Sequence, residues 1–152
     1  MANRIGVNDK FPTVSLLNQD KENINLADYI GQPLVVYFYP KDDTPGCTAE
    51  ACSFRDQFED FTDAGATVFG ISGDSPKSHK RFKEKHRLPF TLLSDKGNQY
   101  RKQLGIKSSL LGLLPGRVTY IIDKEGVVKH MFTSQFDAKG HVTEALKTIK
   151  SM

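Results

Sequence analysis

The chain has 152 residues, of which 38% are hydrophobic and 26% charged, and its formal net charge is +3. This size and composition are typical of one globular domain, so we expect residues 1–152 to fold as a single domain. No apolar run approaches the roughly 20 residues of a membrane-spanning helix, and the charge is too small to indicate a nucleic-acid partner. The N-terminus lacks the apolar core of a secretory signal peptide, which predicts a reducing compartment: the cytoplasm, or a plastid if this is a trimmed mature form.

Strand and helix patterns alternate along the first half of the chain. Residues 12–17 (PTVSLL) alternate like a strand, and residues 34–39 (LVVYFY) form a continuous β-branched and aromatic run typical of a buried strand. Residues 47–64 carry phenylalanines at helical spacing, and Gly65 follows as a plausible helix end. Residues 66–72 (ATVFGIS) predict a second buried strand.

The second half continues this alternation and closes with a hairpin. Residues 77–87 (KSHKRFKEKHR) predict a helix, capped by Ser75 and Pro76, that turns a basic face to solvent. The remaining predicted elements are a strand at 91–93, a short helix at 98–104, a hairpin of 117–122 with 127–133, and an amphipathic helix at 138–149. Together these elements predict an α/β fold with a central mixed β-sheet flanked by helices.

Both cysteines of the chain lie in one short stretch after the first buried strand. Cys47 stands at the predicted start of a helix, beyond the carboxyl end of that strand, where open α/β sheets form their sites. A free thiol has a pKa near 8.5, and lowering it by about 2 units takes about 2.7 kcal/mol. A helix N-terminus contributes only about 0.3–1 kcal/mol of that, so an activated thiolate would need a second positive group nearby.

The spacing of Cys47 and Cys52 limits how they can react with each other. In an ideal helix, residues five apart have Cα atoms about 8.6 Å apart, whereas a disulfide needs roughly 7 Å or less. A Cys47–Cys52 disulfide would therefore require the helix start to unwind. A static structural disulfide is a weaker alternative, because it would close a very short loop and oppose the helical pattern. The two cysteines and four histidines also show no metal-ligand spacing.

The segment from Pro40 to Cys47 reads P-x-x-x-T-x-x-C, with Thr44 at its centre, and here the chain resembles the peroxiredoxins. Arg117, in LPGRVTYIID, matches the active-site arginine of that family. The second cysteine five residues on, and segments such as GISGDSPKSHKRF and LPFTLLSDKGNQYRK, resemble the peroxiredoxin Q type, also called bacterioferritin comigratory protein. The resemblance covers essentially the whole chain.

The resemblance implies a thioredoxin-like fold and thiol-dependent peroxide reduction without metal, haem or flavin. It implies that Cys47 is the peroxidatic cysteine and Cys52 the resolving one, with thioredoxin or a similar dithiol as reductant. Thr44 offers a hydroxyl to both peroxide and sulfur, and Arg117 is the cation that the thiolate requires. Because resolution would occur within one chain, a monomer is the simplest expectation.

The same resemblance points to further residues around Cys47. Pro40 would shield the site from water, and the amides of Gly46 and Cys47 would bind the oxygen where negative charge develops. Glu50 either orients Arg117 or is simply an acid well placed near a helix N-terminus. We expect Asp42 and Asp43 to point to solvent, because carboxylates facing a thiolate would disfavour it. The run LLGLL at 110–114 predicts a wall of the site, a docking patch for the reductant, or a core helix.

Other functions remain open at this level. A disulfide reductase would be expected to carry C-x-x-C, which this chain lacks. A redox sensor or chaperone-like protein, switched by oxidation of Cys47, uses the same two cysteines and differs from an enzyme in lacking turnover. A basic nucleic-acid module acting through residues 77–87 predicts strongly salt-dependent DNA binding.

Overall fold

The computed structural model describes residues 5–106, 116–134 and 137–152. Strands and helices alternate through these ranges, as the sequence patterns predict. The strands are β1 Ser15–Asn18, β2 Asn23–Asn25, β3 Leu34–Phe38, β4 Thr67–Ser72, β5 Thr91–Ser94, β6 Val118–Ile122 and β7 Val128–Thr133. The helices are α1 Pro45–Asp56, α2 Phe58–Asp63, α3 Pro76–His86, α4 Gln99–Gln103 and α5 Ala138–Lys150, with a 3-10 turn at Leu26–Tyr29 and another at Lys96–Asn98.

The strands form one mixed sheet in the order β2-β1-β5-β4-β3-β6-β7. The central strands β3, β4 and β5 run parallel, whereas β6 is antiparallel to β3 and pairs with β7 in a hairpin. Parallel neighbours need a crossover, and the helices between β3 and β5 provide it on the face of the sheet. This arrangement confirms the predicted α/β class with a mixed sheet.

Both faces of the sheet are covered, which explains the unbroken apolar run in β3. Val35 and Tyr37 point into a core cluster that also holds residues of α1, α2, α3 and α5. Val36 and Phe38 point to the opposite face, where they pack against the N-terminal segment and α4. A strand buried on both sides cannot alternate between apolar and polar residues, since each face must exclude water.

The helix predicted at 47–64 differs from the observed structure in its start and in its continuity. It begins two residues earlier, with Thr44 as N-cap and Pro45 in the first turn, where proline's missing N–H costs nothing. It also breaks at Gln57, whose φ of −105° and ψ of 8° separate α1 from α2. Despite the break, Phe54 and Phe61 share one core cluster, with ring centroids 5.8 Å apart.

Two smaller differences concern the edges of the sheet. The first strand spans Ser15–Asn18 rather than residues 12–17, and it pairs with β2, which the sequence patterns did not indicate. β2 has only three residues, too few to show a recognisable alternation. Among the described residues, no helix combines the length and the apolar character needed to cross a membrane.

Candidate active site

Cys47 occupies the third position of α1, the helix that follows the carboxyl end of β3 after a six-residue connection. Its side chain is only 1% exposed and packs in the core cluster with residues of β3 and α1. The first intrahelical bond of α1 runs from Thr48 N to Thr44 O, at 2.8 Å. The backbone amides that precede it have no acceptor four residues back, and together with the helix dipole they favour an anion at this terminus.

Arg117 contacts the sulfur of Cys47 directly. It lies just before β6, the strand paired with β3, and its side chain is 4% exposed. Its Nη2 donates to Cys47 Sγ at 3.3 Å, and its Nη1 donates to Glu50 Oε1 at 2.7 Å. Burial acts to lower the pKa of Arg117, but Glu50 and Cys47 outweigh it and the pKa is raised. The second positive group that an activated thiolate requires is therefore in place.

Gly46 leaves the space through which Arg117 reaches the sulfur. A Cβ atom at Gly46 would lie 3.1 Å from Arg117 Nη2, tighter than an ordinary van der Waals contact. The guanidinium would have to shift by a few tenths of an ångström to admit it. Glycine thus serves the close approach of Arg117 to Cys47, in addition to offering its backbone amide. Pro40, two residues beyond the end of β3, is half-buried.

Thr44 is placed differently from the sequence-based expectation. Its hydroxyl donates to the backbone carbonyl of Lys41 at 2.8 Å, where we expected it to donate to the sulfur. The hydroxyl therefore closes the turn that leads into α1. A hydroxyl has one proton but two lone pairs, so Thr44 retains acceptor capacity toward a ligand at the helix start.

Glu50 lies one helical turn beyond Cys47 and is fully buried. Burial raises the pKa of its carboxyl to about 7, and Arg117 limits that increase. One oxygen accepts from Arg117, and the other, Oε2, lies 3.5 Å from His141 Nδ1. Of the two interpretations left open for Glu50, these contacts favour orientation of Arg117, although Glu50 also lies near the N-terminus of α1.

His141 of α5 and Thr119 of β6 complete the surroundings of Glu50, and sequence patterns did not single them out. Thr119 Oγ1 lies 2.8 Å from His141 Nδ1, and His141 Nε2 lies 2.7 Å from the carbonyl of Ser134. A carbonyl only accepts, so Nε2 carries a proton. Burial lowers the pKa of His141 to about 4. A buried histidine next to Glu50 depends on how α5 packs against α1 and β6, which spacing along the chain does not reveal.

The prediction that Asp42 and Asp43 both point to solvent is wrong for Asp42. Asp42 is 7% exposed, and its carboxylate accepts from Tyr39 Oη at 2.6 Å and from Ser78 Oγ at 2.8 Å. It also lies 2.7 Å from His79 Nδ1. Three polar partners compensate for its desolvation, which a solvent-facing carboxylate would not need. Asp43 is exposed as expected, 3.0 Å from Lys85 Nζ.

His79 lies on the helix predicted at 77–87, but its side chain does not belong to the solvent-facing basic surface. Its ring is fully buried, with Nε2 at 2.9 Å from the carbonyl of Leu93. Atoms of Asp42, Asp74 and His79 that could ligate a metal lie within 4.8 Å of one another, although Asp42 is more than 30 residues from the other two in sequence. Those atoms already make hydrogen bonds within the protein, including Asp42 N to Asp74 Oδ2 at 2.8 Å. The cluster therefore ties the turn after β3 to α3.

Cys52 is half-buried on the same helix as Cys47, and both thiols are free. Because α1 spans Pro45–Asp56, the two residues fall within one continuous helix, as predicted. Ideal helix geometry places their Cα atoms about 8.6 Å apart, beyond the roughly 7 Å limit for a disulfide. The predicted LLGLL wall at 110–114 lies outside the described residues.

The shifted pKa values of Glu50 and His141 give a testable prediction of how stability depends on pH. The folded pKa of Glu50 exceeds its ordinary value of 4.5, so its ionisation destabilises the fold increasingly as pH rises from about 4.5 to about 7. The folded pKa of His141 lies below its ordinary value of 6.5, so the fold loses stability as pH falls through about 6.5 toward about 4. These two dependences oppose each other in the wild type.

Glu50→Gln removes the first dependence and leaves that of His141. We expect the unfolding free energy of the variant, relative to wild type, to drop by on the order of 1–3 kcal/mol when pH is lowered from 7.5 to 5. Urea unfolding at both pH values measures this, with the exposed acid Glu59→Gln as control. An equal difference between variant and wild type at the two pH values would contradict the burial-driven shift at Glu50.

A family model described as the AhpC/TSA family matches residues 7–131. The chain belongs to this family, as a peroxiredoxin of the Q type. It is 53% identical over 141 residues to "Peroxiredoxin Q, chloroplastic" of Populus jackii and 51% identical over 140 residues to the Arabidopsis thaliana protein of that name. These alignments cover 93% and 92% of this peroxiredoxin but only 66% and 65% of the relatives, so the chain spans slightly less than two thirds of their length.

Solved structures agree with this assignment and with the predicted thioredoxin-like fold. Peroxidoxin BcpB from Mycobacterium tuberculosis matches with a TM-score of 0.90 at 34% identity, over 98% of this peroxiredoxin and 99% of that chain. The bacterioferritin comigratory protein of Xanthomonas campestris matches with a TM-score of 0.82 at 32% identity, over 91% and 90% of the two chains. The resemblance that the P-x-x-x-T-x-x-C segment indicated is thus confirmed over nearly the whole length.

Proposed function

We propose that the protein is a thiol peroxidase in which Cys47 attacks a hydroperoxide. The observation that carries this proposal is the 3.3 Å contact from Arg117 Nη2 to Cys47 Sγ in a buried helix N-terminus. A permanent cation with a rigid fork of donors stabilises the thiolate and can hold a peroxide oxygen beside it. Glu50, at 2.7 Å from the other terminal nitrogen, keeps the fork in this orientation.

The chemistry of the other residues in the P-x-x-x-T-x-x-C segment suggests a role for each. Thr44, whose proton is donated to Lys41 O, accepts from the hydroperoxide O–H through a free lone pair. The amides of Gly46 and Cys47 stabilise negative charge on the oxygen that departs. Pro40 excludes water without adding a backbone donor that would need a partner.

The proposed reaction has three balanced steps. The Cys47 thiolate attacks one oxygen of ROOH, the O–O bond breaks, and Cys47 becomes a sulfenic acid while RO⁻ takes a proton and leaves as alcohol or water. The start of α1 unwinds, the Cys52 thiolate attacks the sulfenic sulfur, and water leaves as the disulfide forms. A dithiol reductant then exchanges its two thiols for this disulfide, which restores Cys47 and Cys52.

This cycle also leads to proposals for the peroxide substrates, the reductant and the oligomeric state. The X. campestris protein is described by its alkyl peroxide reduction activity, which supports organic hydroperoxides beside hydrogen peroxide as substrates here. Thioredoxin or a similar dithiol is the proposed reductant. Resolution within one helix needs no second subunit, so we propose a monomer. Cytoplasmic placement stays a prediction from sequence, and the chloroplastic names of the relatives favour the plastid alternative.

The test is stopped-flow oxidation of the reduced protein by hydrogen peroxide, followed by mass spectrometry of the product. We expect oxidation far faster than that of a free thiol, and a loss of two hydrogens that maps to Cys47–Cys52. Oxidation as slow as that of a free thiol would contradict the peroxidase. Fast oxidation without turnover in the presence of a thioredoxin system would instead support a redox sensor built on the same cysteines.

Cys52→Ser separates the two chemical halves of the cycle. We expect the variant to complete one round of peroxide reduction at the wild-type rate and then to stop, because no thiol five residues away attacks the sulfenic acid. Peroxide consumed per protein, measured with thioredoxin present, should fall from many equivalents to about one. Ser53→Ala, at the adjacent half-buried position of α1, is the control and should turn over as wild type does. Undiminished turnover of Cys52→Ser would mean that another group resolves Cys47.

A further inference from the structure

Arg101 is a buried arginine that links the two chain segments carrying the proposed active site. It belongs to the short helix α4 and is 5% exposed. Its Nη2 donates to the carbonyl of Tyr39 at 3.0 Å, and its Nη1 donates to the carbonyl of Gly116. Tyr39 directly precedes Pro40, and Gly116 directly precedes Arg117. One guanidinium therefore binds the carbonyl of the residue that precedes Pro40 and the carbonyl of the residue that precedes Arg117.

The guanidinium is itself held in a fixed position. The carboxylate of the buried Asp95 accepts from the backbone N–H of Tyr100 at 2.9 Å and from that of Arg101 at 3.0 Å, which anchors the start of α4. The Arg101 side chain then crosses the sheet edge with its guanidinium carbon 5.7 Å from the centre of the Phe38 ring. A cation over an aromatic face is stabilised by the ring quadrupole, and it gains more where water is excluded.

Arg101 also contributes charge at this site. Burial lowers the pKa of Arg101 to about 10, while Asp95, Tyr120 and Cys47 act to raise it and Arg117 acts to lower it. The side chain is therefore positively charged throughout the neutral range. Charge on Cys47 thus favours the protonated form of Arg101, whereas charge on Arg117 opposes it. A thiolate at Cys47 would thus be stabilised by two guanidinium groups, only one of which touches the sulfur.

We propose that Arg101 is a positioning residue for the Cys47–Arg117 pair: it holds the carbonyls of Tyr39 and Gly116 together and adds positive charge beside the thiolate. The pairing of β3 with β6 ends at Phe38 and Val118, so without this link the residues just beyond that pair could shift relative to each other where Arg117 meets Cys47. Misplacement of a reacting group by about 1 Å costs on the order of 100-fold in rate. The role rests on the proposed peroxidase function but concerns an arginine outside its motif.

Arg101→Gln and Arg101→Lys test this role, with Lys102→Gln as control. Glutamine removes the charge and one of the two donor groups. Lysine keeps the charge but has a single nitrogen, so it cannot donate to two carbonyls through separate arms. Lys102 is an exposed cation one residue further along α4. Two rates are measured: oxidation of Cys47 by hydrogen peroxide in stopped flow, and alkylation of Cys47 by iodoacetamide across pH, mapped by mass spectrometry. Alkylation reports the thiolate fraction and requires no peroxidase activity.

We expect Arg101→Gln to slow the peroxide step by about 10- to 100-fold and to move half-maximal alkylation to higher pH. Arg101→Lys should have an alkylation profile close to that of wild type but a peroxide rate between those of wild type and Arg101→Gln. The KM for the reductant should not change in either variant. A wild-type alkylation profile and peroxide rate in Arg101→Gln would overturn the proposal. If Arg101→Gln does not fold, Arg101→Lys alone tests the proposal. A wild-type peroxide rate in Arg101→Lys would show that the two donor arms of arginine are not required at this position.

The alkylation readout separates this proposal from the peroxidase itself. If wild-type protein fails to reduce peroxide, the proposed function fails, yet a shifted alkylation profile in Arg101→Gln would still show that Arg101 supports the Cys47–Arg117 pair. If wild-type protein reduces peroxide rapidly and both Arg101 variants match it, the peroxidase stands and the positioning role falls.

Discussion

Replacing Cys47 by serine will abolish peroxide consumption, the largest effect that we expect from any single substitution. Serine keeps nearly the same shape at this buried position but offers an alcohol, which stays protonated at neutral pH and does not form a sulfenic acid. Arg117 and Glu50 would remain paired, so their charges have a partner with or without the thiolate. The measurement is hydrogen peroxide loss under turnover with a thioredoxin system. It is followed for long enough to detect a rate on the order of 10⁴-fold below wild type, because removing a nucleophile costs on the order of 10⁴- to 10⁶-fold.

Cys52→Ser is the matched control for this result, because it makes the same chemical change in the same helix. It should still reduce one equivalent of peroxide, whereas Cys47→Ser should reduce none. Circular dichroism of both variants should match wild type, since each change only exchanges one sulfur atom of α1 for an oxygen. Peroxide turnover by Cys47→Ser above the uncatalysed rate would place the nucleophile elsewhere and remove the basis of the proposed cycle.

Replacing Arg117 by alanine should slow the oxidation of Cys47 by on the order of 100- to 1000-fold. The substitution removes the donor that lies 3.3 Å from the sulfur and leaves the fully buried carboxylate of Glu50 without its 2.7 Å partner. The lost donor slows the reaction of the thiolate, and the lost cation lowers the fraction of Cys47 that is ionised. Glu50, whose pKa Arg117 holds down, would take up a proton at neutral pH once Arg117 is gone. Stopped-flow oxidation, together with the fraction of Cys47 alkylated at pH 7, measures the two consequences separately.

Arg117→Lys and Arg81→Ala serve as the controls for this prediction. Lysine keeps the charge but has one nitrogen, so it cannot donate to Cys47 and Glu50 through separate fixed arms, and we expect an intermediate rate. Arg81 is an exposed arginine of α3, and its removal tests the effect of losing a positive charge in general. A rate for Arg117→Ala within about threefold of the Arg81→Ala rate would exclude Arg117 from transition-state stabilisation, since a lost donor costs at least about 100-fold.

Several features of the site could be read from residues close together in sequence. The P-x-x-x-T-x-x-C segment, the buried strand before it and the helical phenylalanines after it predicted where Cys47 would lie and that Cys52 would share its helix. These are local properties, governed by backbone propensity, helix geometry and the end of one strand. The need for a cation beside Cys47 also followed from the small energy that a helix terminus supplies.

The same patterns did not predict side-chain contacts that depend on which distant segments pack together. Asp42 looked like a solvent-facing acid in a polar turn, and its burial depends on His79 and Ser78 of α3 approaching from another part of the chain. Thr44 was expected to donate to the sulfur, but a main-chain acceptor in its own turn takes that proton. Each hydrogen bond requires a specific distance and direction, and these are set only when the elements are packed.

For this chain, sequence by itself determined the α/β class, the position of the reactive cysteine at a helix start and the spacing that forbids a disulfide within an intact helix. Tertiary structure alone decided the environment that surrounds that cysteine. The sheet brings β6 beside β3, so that Arg117 reaches Cys47 across 70 residues of sequence, and α4 carries Arg101 to the carbonyls on either side. Local structure follows from short-range sterics and propensities, whereas charges act through space and depend on the fold that places them.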